Sequence, residues 1–405
     1  MIISGAILCD AYTERRADVR VENGTIVEIG EKLLGDDIID ASGCYFMPAL
    51  VDTDVRLKDA NLNGTNLEKL SHRALKGGVG TVVLASDSNP RIDNEITLEF
   101  LQHHKMLESG STIESTVSAL NDEGALSNIA IMLKKGSVAV HTSTITDYNQ
   151  MSRIAQYLNM AKKPLFYKAV DHSLFDSGVI AEGTTASNLG LPTVSPLSEI
   201  VHIASVIEIA RHFNIEVIFK SVSEPRSIEL IAQAKTEGVN VSCEVGIHHL
   251  CKNDEACQGF DSDAKINPPL VSDEKRIQLL KSLRDGNIHS LSSLHQPHSD
   301  VQKDVTFFDA SYGTTSIEEY LPLLNTYLVD KEGISMSDIV RLASLNPSKQ
   351  LGKDEQCIVN GSQGDWIIFD PNGTTKVPHH HSLYKNESLK GEVKSAISRG
   401  KIVYF

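Results

Sequence analysis

Apolar and polar positions alternate along the middle of the chain with two different periods. Between residues 51 and 350, short apolar runs such as "GVGTVVLAS" and "IEVIFKSVS" are typical of buried strands. They are separated by segments in which apolar residues recur every three or four positions, the longest being "PLSEIVHIASVIEIARHF". Strands that alternate with helices of this kind predict βα units and a parallel sheet. About 300 residues of such units suit a closed (β/α)₈ barrel of the TIM type.

Both ends of the chain carry short strand patterns without helices. In "ADVRVENGTIVEIG", apolar and polar residues alternate on either side of Asn23-Gly24, a pair that strongly favours a two-residue hairpin turn. Near the other end, "DWIIFDP" and "AISRGKIVYF" are also strand-like. The pattern therefore predicts an α/β protein in which residues 1–50 and 351–405 form one small β-sandwich and residues 51–350 form the barrel.

Composition narrows the range of partners and surroundings. The formal net charge of −15 disfavours binding to a nucleic-acid backbone or to an anionic membrane surface. No apolar run approaches the roughly 20 residues of a membrane span, and the first residues lack the basic start of a signal peptide. The 6 cysteines form no disulfide pattern and suit reduced thiols. We therefore expect a soluble, cytoplasmic protein.

The segment "VDTDVRLKD" (51–59) concentrates charge directly after an apolar strand, "CYFMPAL". Polar side chains at the C-terminal ends of barrel strands are where enzymes of this fold place their chemistry. A metal site there would use neutral imidazoles or carboxylates. Arg56 and Lys58 cannot ligate a metal ion while they are charged, so this strand end does not have the composition of an ordinary metal site.

The whole chain resembles the dihydroorotases of the amidohydrolase superfamily. "CYFMPALVDTDVRLKD" is similar to the family's "MPGLIDPHVHLRDPG", and "GTVVLASDSNPRIDN" is similar to its "TTVVCMPNTNPVIDN". Further segments follow in the family's order and spacing: "GLPTVSPLSEI", "KINPPL", "LHQPHS", "NPSKQLG" and "GDWIIFDP". The resemblance implies the barrel fold. It also implies kinship with zinc enzymes in which metal ions polarise a ring amide and generate hydroxide, while an aspartate moves the proton.

Aligned by this resemblance, the family's metal-binding and proton-transfer residues fall on positions that carry other side chains. They are Asp54 and Arg56 for a His-x-His, Thr142 (or the neighbouring Ser143) for a bridging carboxylate, Lys168 and Ser221 for two further histidines, and Leu294 for the aspartate. Of these, only Asp54 could still bind a metal ion in the ordinary way. The resemblance therefore implies no catalytic residue, no metal site and no zinc cofactor in this chain.

Positions that contact substrate in the family are changed less. The arginine that holds the substrate carboxylate corresponds to Lys58, and a substrate-binding asparagine corresponds to Asp87. Asn267 and His298 are retained, and His295 follows the lost aspartate. The retained residues are either remnants of ancestry or still line a small pocket.

Electrostatics favours a salt-bridged barrel mouth over a metal centre. Like charges a few ångströms apart repel by several kcal/mol, so Arg56 and Lys168 would oppose divalent cations at this place. Without metal, Asp54 and Asp87 would be buried anions in need of a cation. We predict that Arg56, Lys58 and Lys168 pair with these carboxylates.

Other residues allow two interpretations. Lys168 could form a Schiff base if burial lowered its pKa, although an ion pair is simpler. The cluster "HHLCKNDEAC" has soft ligands, but its spacing matches no closed zinc site, so His248 and His249 are expected to be structural. His379–His381 predicts an exposed loop, with an interface or metal contact as the alternative. The sequence indicates no particular role for Lys220.

The resemblance leads to a functional hypothesis. A dihydroorotase homologue without its metal ligands and catalytic aspartate is expected to be a pseudoenzyme of pyrimidine biosynthesis. Inactive homologues of this kind are known as structural partners of aspartate carbamoyltransferase, so that enzyme is the expected partner, and self-association is left open. One alternative is an active cyclic amidohydrolase with a rewired or mononuclear site, which is less favoured because Leu294 cannot move a proton. Another is a scaffold like the dihydropyrimidinase-related cytoskeletal regulators.

Overall fold

The structure is a computed structural model that describes residues 1–107, 110–143, 147–175, 177–378 and 380–405. The chain begins with short strands: β1 (Ile2–Ser4), β2 (Ile7–Cys9), β3 (Glu14–Arg16), β4 (Asp18–Glu22), β5 (Thr25–Gly30), β6 (Ile38–Asp40) and β7 (Tyr45–Pro48). Asn23 and Gly24 join β4 to β5 with φ values of 51° and 80°, the positive values that a type I′ turn requires. The predicted hairpin is confirmed.

Parallel strands follow: β8 (Leu50–Val55), β9 (Val79–Leu84), β10 (Thr112–Ser118), β11 (Ala139–Ser143), β12 (Leu165–Lys168), β13 (Ile180–Ala181), β14 (Thr193–Val194), β15 (Val217–Phe219), β16 (Val241–Gly246) and β17 (Ser290–Ser292). In the described part of the chain, β8–β12 and β15–β17 form one eight-stranded parallel sheet, while β13 pairs with β14. The sheet closes because Val55 bridges to His295, and the Arg56 N–H donates to the His295 carbonyl at 2.8 Å. The predicted (β/α)₈ barrel is confirmed.

Helices connect the barrel strands and cover the barrel: α1 (Gly64–Lys76), α2 (Glu95–His103), α3 (Ile129–Lys134), α4 (Tyr148–Ala161), α5 (His172–Phe175), α6 (Thr184–Leu189), α7 (Leu197–Phe213), α8 (Pro225–Thr236), α9 (His248–Cys251), α10 (Asp273–Arg284), α11 (Asp300–Lys303), α12 (Tyr320–Leu323), α13 (Met336–Val340) and α14 (Asn346–Gln350). Wider π-helical turns continue α12 and α13 at Leu324–Asp330 and Arg341–Leu345, and 3₁₀ turns lie at Lys58–Ala60, Asp254–Phe260, Ser262–Ala264 and Ile317–Glu319. None of the described helices combines the length and apolar character that crossing a bilayer requires.

The first barrel helix shows why these segments are helical. Asn63 caps α1 by accepting a hydrogen bond from the Asn66 N–H. Leu67, Leu70 and Ala74 recur at helical spacing and are buried. The helix is thereby fixed at its start and held along one face against the barrel.

The C-terminal strands β18 (Trp366–Lys376), β19 (Ser388–Ser398) and β20 (Lys401–Tyr404) return to the N-terminal strands. Within the described residues they form a six-stranded sheet of order β20-β19-β18-β7-β2-β3, beside a four-stranded sheet of order β5-β4-β1-β6. Both sheets contribute to one apolar cluster, in which Trp366 stacks on Phe46 with ring centroids 5.3 Å apart. The small β-sandwich built from both termini is confirmed.

Strand β18 connects the sandwich to the barrel. Trp366 and Ile368 belong to the apolar cluster of the sandwich, whereas Ile367 and Phe369 belong to the large cluster that includes the barrel strands and helices. Successive residues of a strand point to opposite faces, so β18 packs against both cores at once.

Candidate functional site

The C-terminal ends of the barrel strands bring several of the predicted positions together at the barrel mouth. Asp54 lies on β8 and Arg56 follows it, Lys168 ends β12, and Ser221 comes shortly after β15. All four residues are buried. Because a parallel barrel places these strand ends on one rim, residues far apart in sequence become neighbours there.

Arg56 joins two carboxylates. Its Nη1 lies 2.7 Å from Asp54 Oδ1, and its Nε lies 2.9 Å from Asp87 Oδ2. The side chains of Arg56 and Asp54 are 7% and 3% exposed, whereas Asp87 faces solvent with 40% of its side chain exposed. The predicted pairing of Arg56 with both aspartates is confirmed.

Each charge in this network stabilises the others. Burial alone would raise the pKa of Asp54, but Arg56 and Lys220 outweigh burial and hold that pKa below its ordinary value. Burial alone would lower the pKa of Arg56, but Asp87 and Asp54 raise it. The Ser221 hydroxyl donates to the second carboxylate oxygen of Asp54. Asp54 is therefore an anion with both oxygens already engaged.

The two lysines do not pair with these carboxylates, so that part of the prediction was wrong. The Lys168 ammonium donates to the main-chain carbonyl of Asn267 at 2.9 Å, and within the described residues it forms no ion pair. Burial, and then the charge of Arg56, lower the pKa of Lys168 to about 8. Lys58 is exposed, because a 3₁₀ turn carries it to the surface. Both carboxylate oxygens of Asp54 already accept hydrogen bonds, one from Arg56 and one from Ser221, so Asp54 does not require Lys58 or Lys168 as a partner.

The positions of Thr142 and Leu294 have no acid–base group. The Thr142 hydroxyl donates to the Ser143 carbonyl at 3.1 Å. Leu294 is 3% exposed and packs in an apolar cluster with Ile180 and Leu270. A leucine side chain supplies neither a metal ligand nor a proton carrier.

The two retained substrate positions differ in role. His298 Nε2 donates to the Tyr312 carbonyl at 2.8 Å, and its Nδ1 lies 3.5 Å from Asp59 Oδ1. Asn267 Oδ1 is buried and has no hydrogen-bond partner among the described residues, and Asn267 lines a cavity of about 30 Å³. That volume holds about one water molecule. Asn267 therefore lines a small pocket, whereas His298 stabilises its own loop.

A second ion pair lies deeper in the barrel. Lys220 pairs with Glu244, and its ammonium donates to the Thr53 hydroxyl at 2.8 Å. The ammonium also lies 4.6 Å from the centroid of the Phe166 ring. Strand periodicity could have revealed that Lys220 points into the barrel. Residues two apart in a strand share a face, and Ile218, two residues before Lys220, belongs to the apolar cluster that includes Phe166.

Within the described residues, Asp52 is an interior carboxylate that forms no ion pair. It is 0% exposed, and the N–H groups of Ser293 and Asp54 donate to it at 3.3 Å. Burial is the main reason that the pKa of Asp52 rises to about 7, and the nearby charge of Glu244 adds to the effect. Among the described residues, three other carboxylates lie here, and three cations face them. The carboxylates are Asp54, Asp87 and Glu244, and the cations are Arg56, Lys168 and Lys220. A proton on Asp52 therefore makes this part of the barrel neutral.

His141 is a further interior residue that the resemblance did not single out. It is 6% exposed, and its Nδ1 lies 3.0 Å from Ser86 Oγ. Burial lowers the pKa of His141 to about 4, so its ring is neutral near pH 7. With Asp87 and Thr142 it lines a cavity of about 230 Å³. This cavity has room for several water molecules.

The barrel mouth does not fit the zinc pair that the resemblance implies for the family. Zinc requires converging imidazole, carboxylate or thiolate donors. Here the Arg56 guanidinium lies between Asp54 and Asp87, and the buried Lys168 adds a second positive charge. Within the described residues, side chains spaced for a metal ion form one group, which is largely exposed: Asp300, Asp304 and His381.

The adjacent histidines and the cysteines have structural positions. His248 Nδ1 lies 2.9 Å from the Tyr384 hydroxyl, and His249 Nε2 donates to the Pro268 carbonyl at 3.1 Å. The cysteines are free thiols. These contacts agree with the expected structural role of the histidine pair.

The histidine triplet is only partly exposed. His379 lies outside the described residues, and His380 is exposed. The His381 side chain is 14% exposed, and its ring nitrogens lie 3.2 Å from Asp263 and 2.9 Å from Asp300. The prediction of an exposed loop is wrong for His381, because two carboxylates hold its ring against the protein.

Comparison with known proteins identifies dihydroorotases as relatives of this chain. No protein-family profile matches the chain. The chain is 32% identical to the dihydroorotase of Ruminiclostridium cellulolyticum over 403 residues, which cover 96% of this chain and 94% of that protein. It is 30% identical to the dihydroorotase of Pelobacter propionicus, with 96% of each chain covered.

The solved structures add the fold. The L-hydantoinase (dihydropyrimidinase) from Arthrobacter aurescens superimposes with a TM-score of 0.86 at 21% identity, covering 100% of this chain and 95% of that one. At that identity the likeness establishes the architecture alone, a barrel with a terminal sandwich. The sequence identity to the Ruminiclostridium dihydroorotase extends over nearly the full length of both chains, so it establishes the family as well as the fold. The chain therefore belongs to the dihydroorotase family of the amidohydrolase superfamily.

Proposed function

We propose that this protein is a dihydroorotase homologue without hydrolytic activity that serves pyrimidine biosynthesis as a non-catalytic partner. The observation that carries the proposal is the position of Arg56, whose guanidinium binds Asp54 and Asp87 at 2.7 and 2.9 Å. A cation built into the chain stands where the resemblance places a metal centre. The family's metal positions are proposed to be lost in this chain.

The acid–base chemistry of the site also supports the proposal. Hydrolysis of a ring amide needs a group that activates water and a group that moves a proton. Leu294 can do neither, and the pKa of His141, lowered by burial to about 4, makes that ring a weak base. Asp52 has a pKa of about 7 but is fully buried, so no substrate can contact it.

The first experiment measures hydrolysis and metal together. Protein purified without chelators is assayed for dihydroorotate hydrolysis and for zinc content, with the Ruminiclostridium cellulolyticum dihydroorotase assayed in parallel. We expect background turnover and far less than one zinc ion per chain. About two zinc ions per chain, with turnover that disappears on chelation and returns with zinc, would contradict the proposal and favour an active cyclic amidohydrolase.

The second experiment tests the partner. We propose aspartate carbamoyltransferase from the same cell as the partner, in the cytoplasm, because the resemblance associates inactive homologues with that enzyme. Size-exclusion chromatography with light scattering is run on each protein alone and on the mixture. A shared peak of larger mass supports the assembly, and two unshifted peaks remove it. The run on the single chain also determines whether it self-associates.

A further inference from the structure

A cation-lined cavity lies beside the barrel mouth. It has a volume of about 100 Å³ and lies between α1 and the loops that follow β8 and β17. Its polar lining is Arg56, Lys58, Asn66, Lys69, Arg73 and His295. None of the described residues that line it carries a carboxylate, although the chain as a whole has a net charge of −15.

Arg56 is neutralised by Asp54 and Asp87, but the other three cations of this cavity are only weakly neutralised. Within the described residues, Lys58 and Lys69 form no ion pair closer than 4 Å. Arg73 has one such contact, 3.7 Å to Glu318, and that carboxylate lies closer to Lys76, at 2.7 Å. The positive charge of the cavity is therefore available to an anion.

Two acidic groups near Lys58 are engaged elsewhere. The Asp59 carboxylate, next to Lys58 in sequence, accepts a hydrogen bond from the Ser299 N–H at 2.8 Å. Asp300 interacts with Lys58 electrostatically, but its Oδ1 lies 2.9 Å from His381 Nε2. Neither carboxylate enters the cavity.

The cavity is also preformed. Asn66 Nδ2 donates to the Asn61 carbonyl at 2.9 Å and holds the turn that carries Lys58. His295 Nδ1 accepts hydrogen bonds from two main-chain N–H groups at 3.1 and 3.2 Å. Asn66 and His295 are therefore held in place in the wall of the cavity.

We infer that this cavity binds a phosphate group, either as inorganic phosphate or as the phosphate of a small metabolite. Arg73 and Lys69 line the cavity from α1, and Lys58 lines it from the turn after β8. One guanidinium and two ammonium groups supply the positive charge and the several donors that a phosphate group can accept from. Charge-assisted hydrogen bonds to phosphate are among the stronger polar contacts of proteins. The inference does not depend on the loss of hydrolytic activity, because Lys58, Lys69 and Arg73 lie outside the ion pairs that Arg56 forms with Asp54 and Asp87.

Isothermal titration calorimetry on the full-length protein tests the site. Inorganic phosphate, glycerol 3-phosphate and succinate are each titrated at constant ionic strength into the wild type, Lys69→Ala and Arg73→Ala. Lys281→Ala is the matched control, because Lys281 is an exposed lysine on a different helix, α10. We expect each cavity variant to weaken phosphate binding by about tenfold, since each removes one charge-assisted hydrogen bond. The control should stay within about twofold of the wild type.

The titrations distinguish the two phosphate sources and can overturn the inference. Equal binding of the two phosphates supports a site for the free ion, and preference for glycerol 3-phosphate supports a phosphorylated metabolite. No binding by the wild type overturns the inference. Binding that Lys69→Ala and Arg73→Ala leave unchanged also overturns it, as does succinate binding as tight as that of phosphate.

Discussion

At the scale of single residues, the barrel mouth is organised by mutual neutralisation. Arg56 and Asp54 are buried, and Arg56 is the principal counter-charge of Asp54, while Asp87 and Asp54 together compensate Arg56. Removing one member of a buried ion pair leaves the other without compensation, which costs more than the pair contributes. The stability of this region therefore depends on keeping both.

Replacement of Arg56 by methionine tests that dependence. We expect Arg56→Met to lower the free energy of unfolding by about 3–5 kcal/mol, because the buried Asp54 carboxylate loses its principal counter-charge. Urea denaturation measures the change. The control is Arg226→Met, whose pair with Glu229 is 58% and 65% exposed. That control should change stability by less than about 0.5 kcal/mol.

A double variant distinguishes lost charge compensation from lost packing. In Arg56→Met/Asp54→Asn the buried anion is absent, so we expect part of the lost stability to return. If the double variant is as unstable as the sum of the two single variants, packing rather than charge explains the effect of Arg56→Met.

Asp52 predicts a specific pH dependence. Burial raises the pKa of Asp52 to about 7, so between about pH 4 and 7 the folded protein holds a proton that the unfolded chain has lost. Stability from this group is therefore present at low pH and falls as the pH rises through 7. The difference is about 4 kcal/mol for a shift of this size.

The variant Asp52→Asn removes this titration. Urea denaturation of both proteins at several pH values between 5 and 8 gives the comparison, in which the titration of all other groups cancels. We expect Asp52→Asn to gain stability relative to the wild type as the pH rises. A difference between the two proteins that does not vary with pH would show that Asp52 titrates below this range.

The residue scale also shows what a sequence can predict about such a site. The partners of Arg56 followed from charge type and from the position of each aspartate at the end of a barrel strand. The partners of Lys168 and Lys220 did not, because a flexible lysine reaches its partner on another strand and its choice depends on which oxygens are already occupied. His141 was missed because the resemblance assigned no role to that position.

At the scale of elements, the position of α1 determines the cation-lined cavity. The helix supplies Lys69 and Arg73 and ends at Gly77, directly against the carbonyl of Ile317. A Cβ at Gly77 would lie 1.8 Å from that oxygen, whereas the backbone of Gly77 itself, at φ −79°, would accept any residue. Close approach, and not a special conformation, requires glycine at this position.

The variant Gly77→Ala tests that approach. We expect it to lower the free energy of unfolding by at least about 2 kcal/mol, because α1 or the turn at Ile317 must move. The matched control is Gly64→Ala at the start of the same helix, where a Cβ would meet the His104 ring at 3.1 Å and that side chain can shift. Thermal and urea denaturation compare the two. Equal effects would show that the contact at Ile317 is not limiting.

Elements with a long periodic pattern were predictable, and short ones were not. The 17 residues of α7 and the hairpin at Asn23-Gly24 have strong local signals. The paired strands β13 and β14 have 2 residues each and no detectable period. Their pairing depends on the fold around them, which places Ile180 beside Thr193.

At the scale of the whole molecule, the sandwich and the barrel share structure. Both termini contribute strands to one sheet, and β18 packs Trp366 into the sandwich while Ile367 packs against the barrel. The alternation of helices and strands was enough to predict this architecture. The shared packing was not predictable, because no local pattern tells which face of a terminal strand meets which core.

Shared packing predicts cooperative unfolding. The chain has a single tryptophan, Trp366, whose fluorescence reports the sandwich, while far-UV circular dichroism reports mainly the barrel helices. We expect both signals to change at the same urea concentration, because loss of β18 exposes both cores. Two separate midpoints would show that the sandwich unfolds independently.

The positive charge of Arg56 is part of the polypeptide and need not be taken up from solution. An ion drawn from solution dissociates and must be present in sufficient concentration, whereas a positive group on the polypeptide cannot diffuse away. Under the proposed function, this end of the molecule would therefore assemble without trace elements, since its counter-charge is made together with the chain at translation.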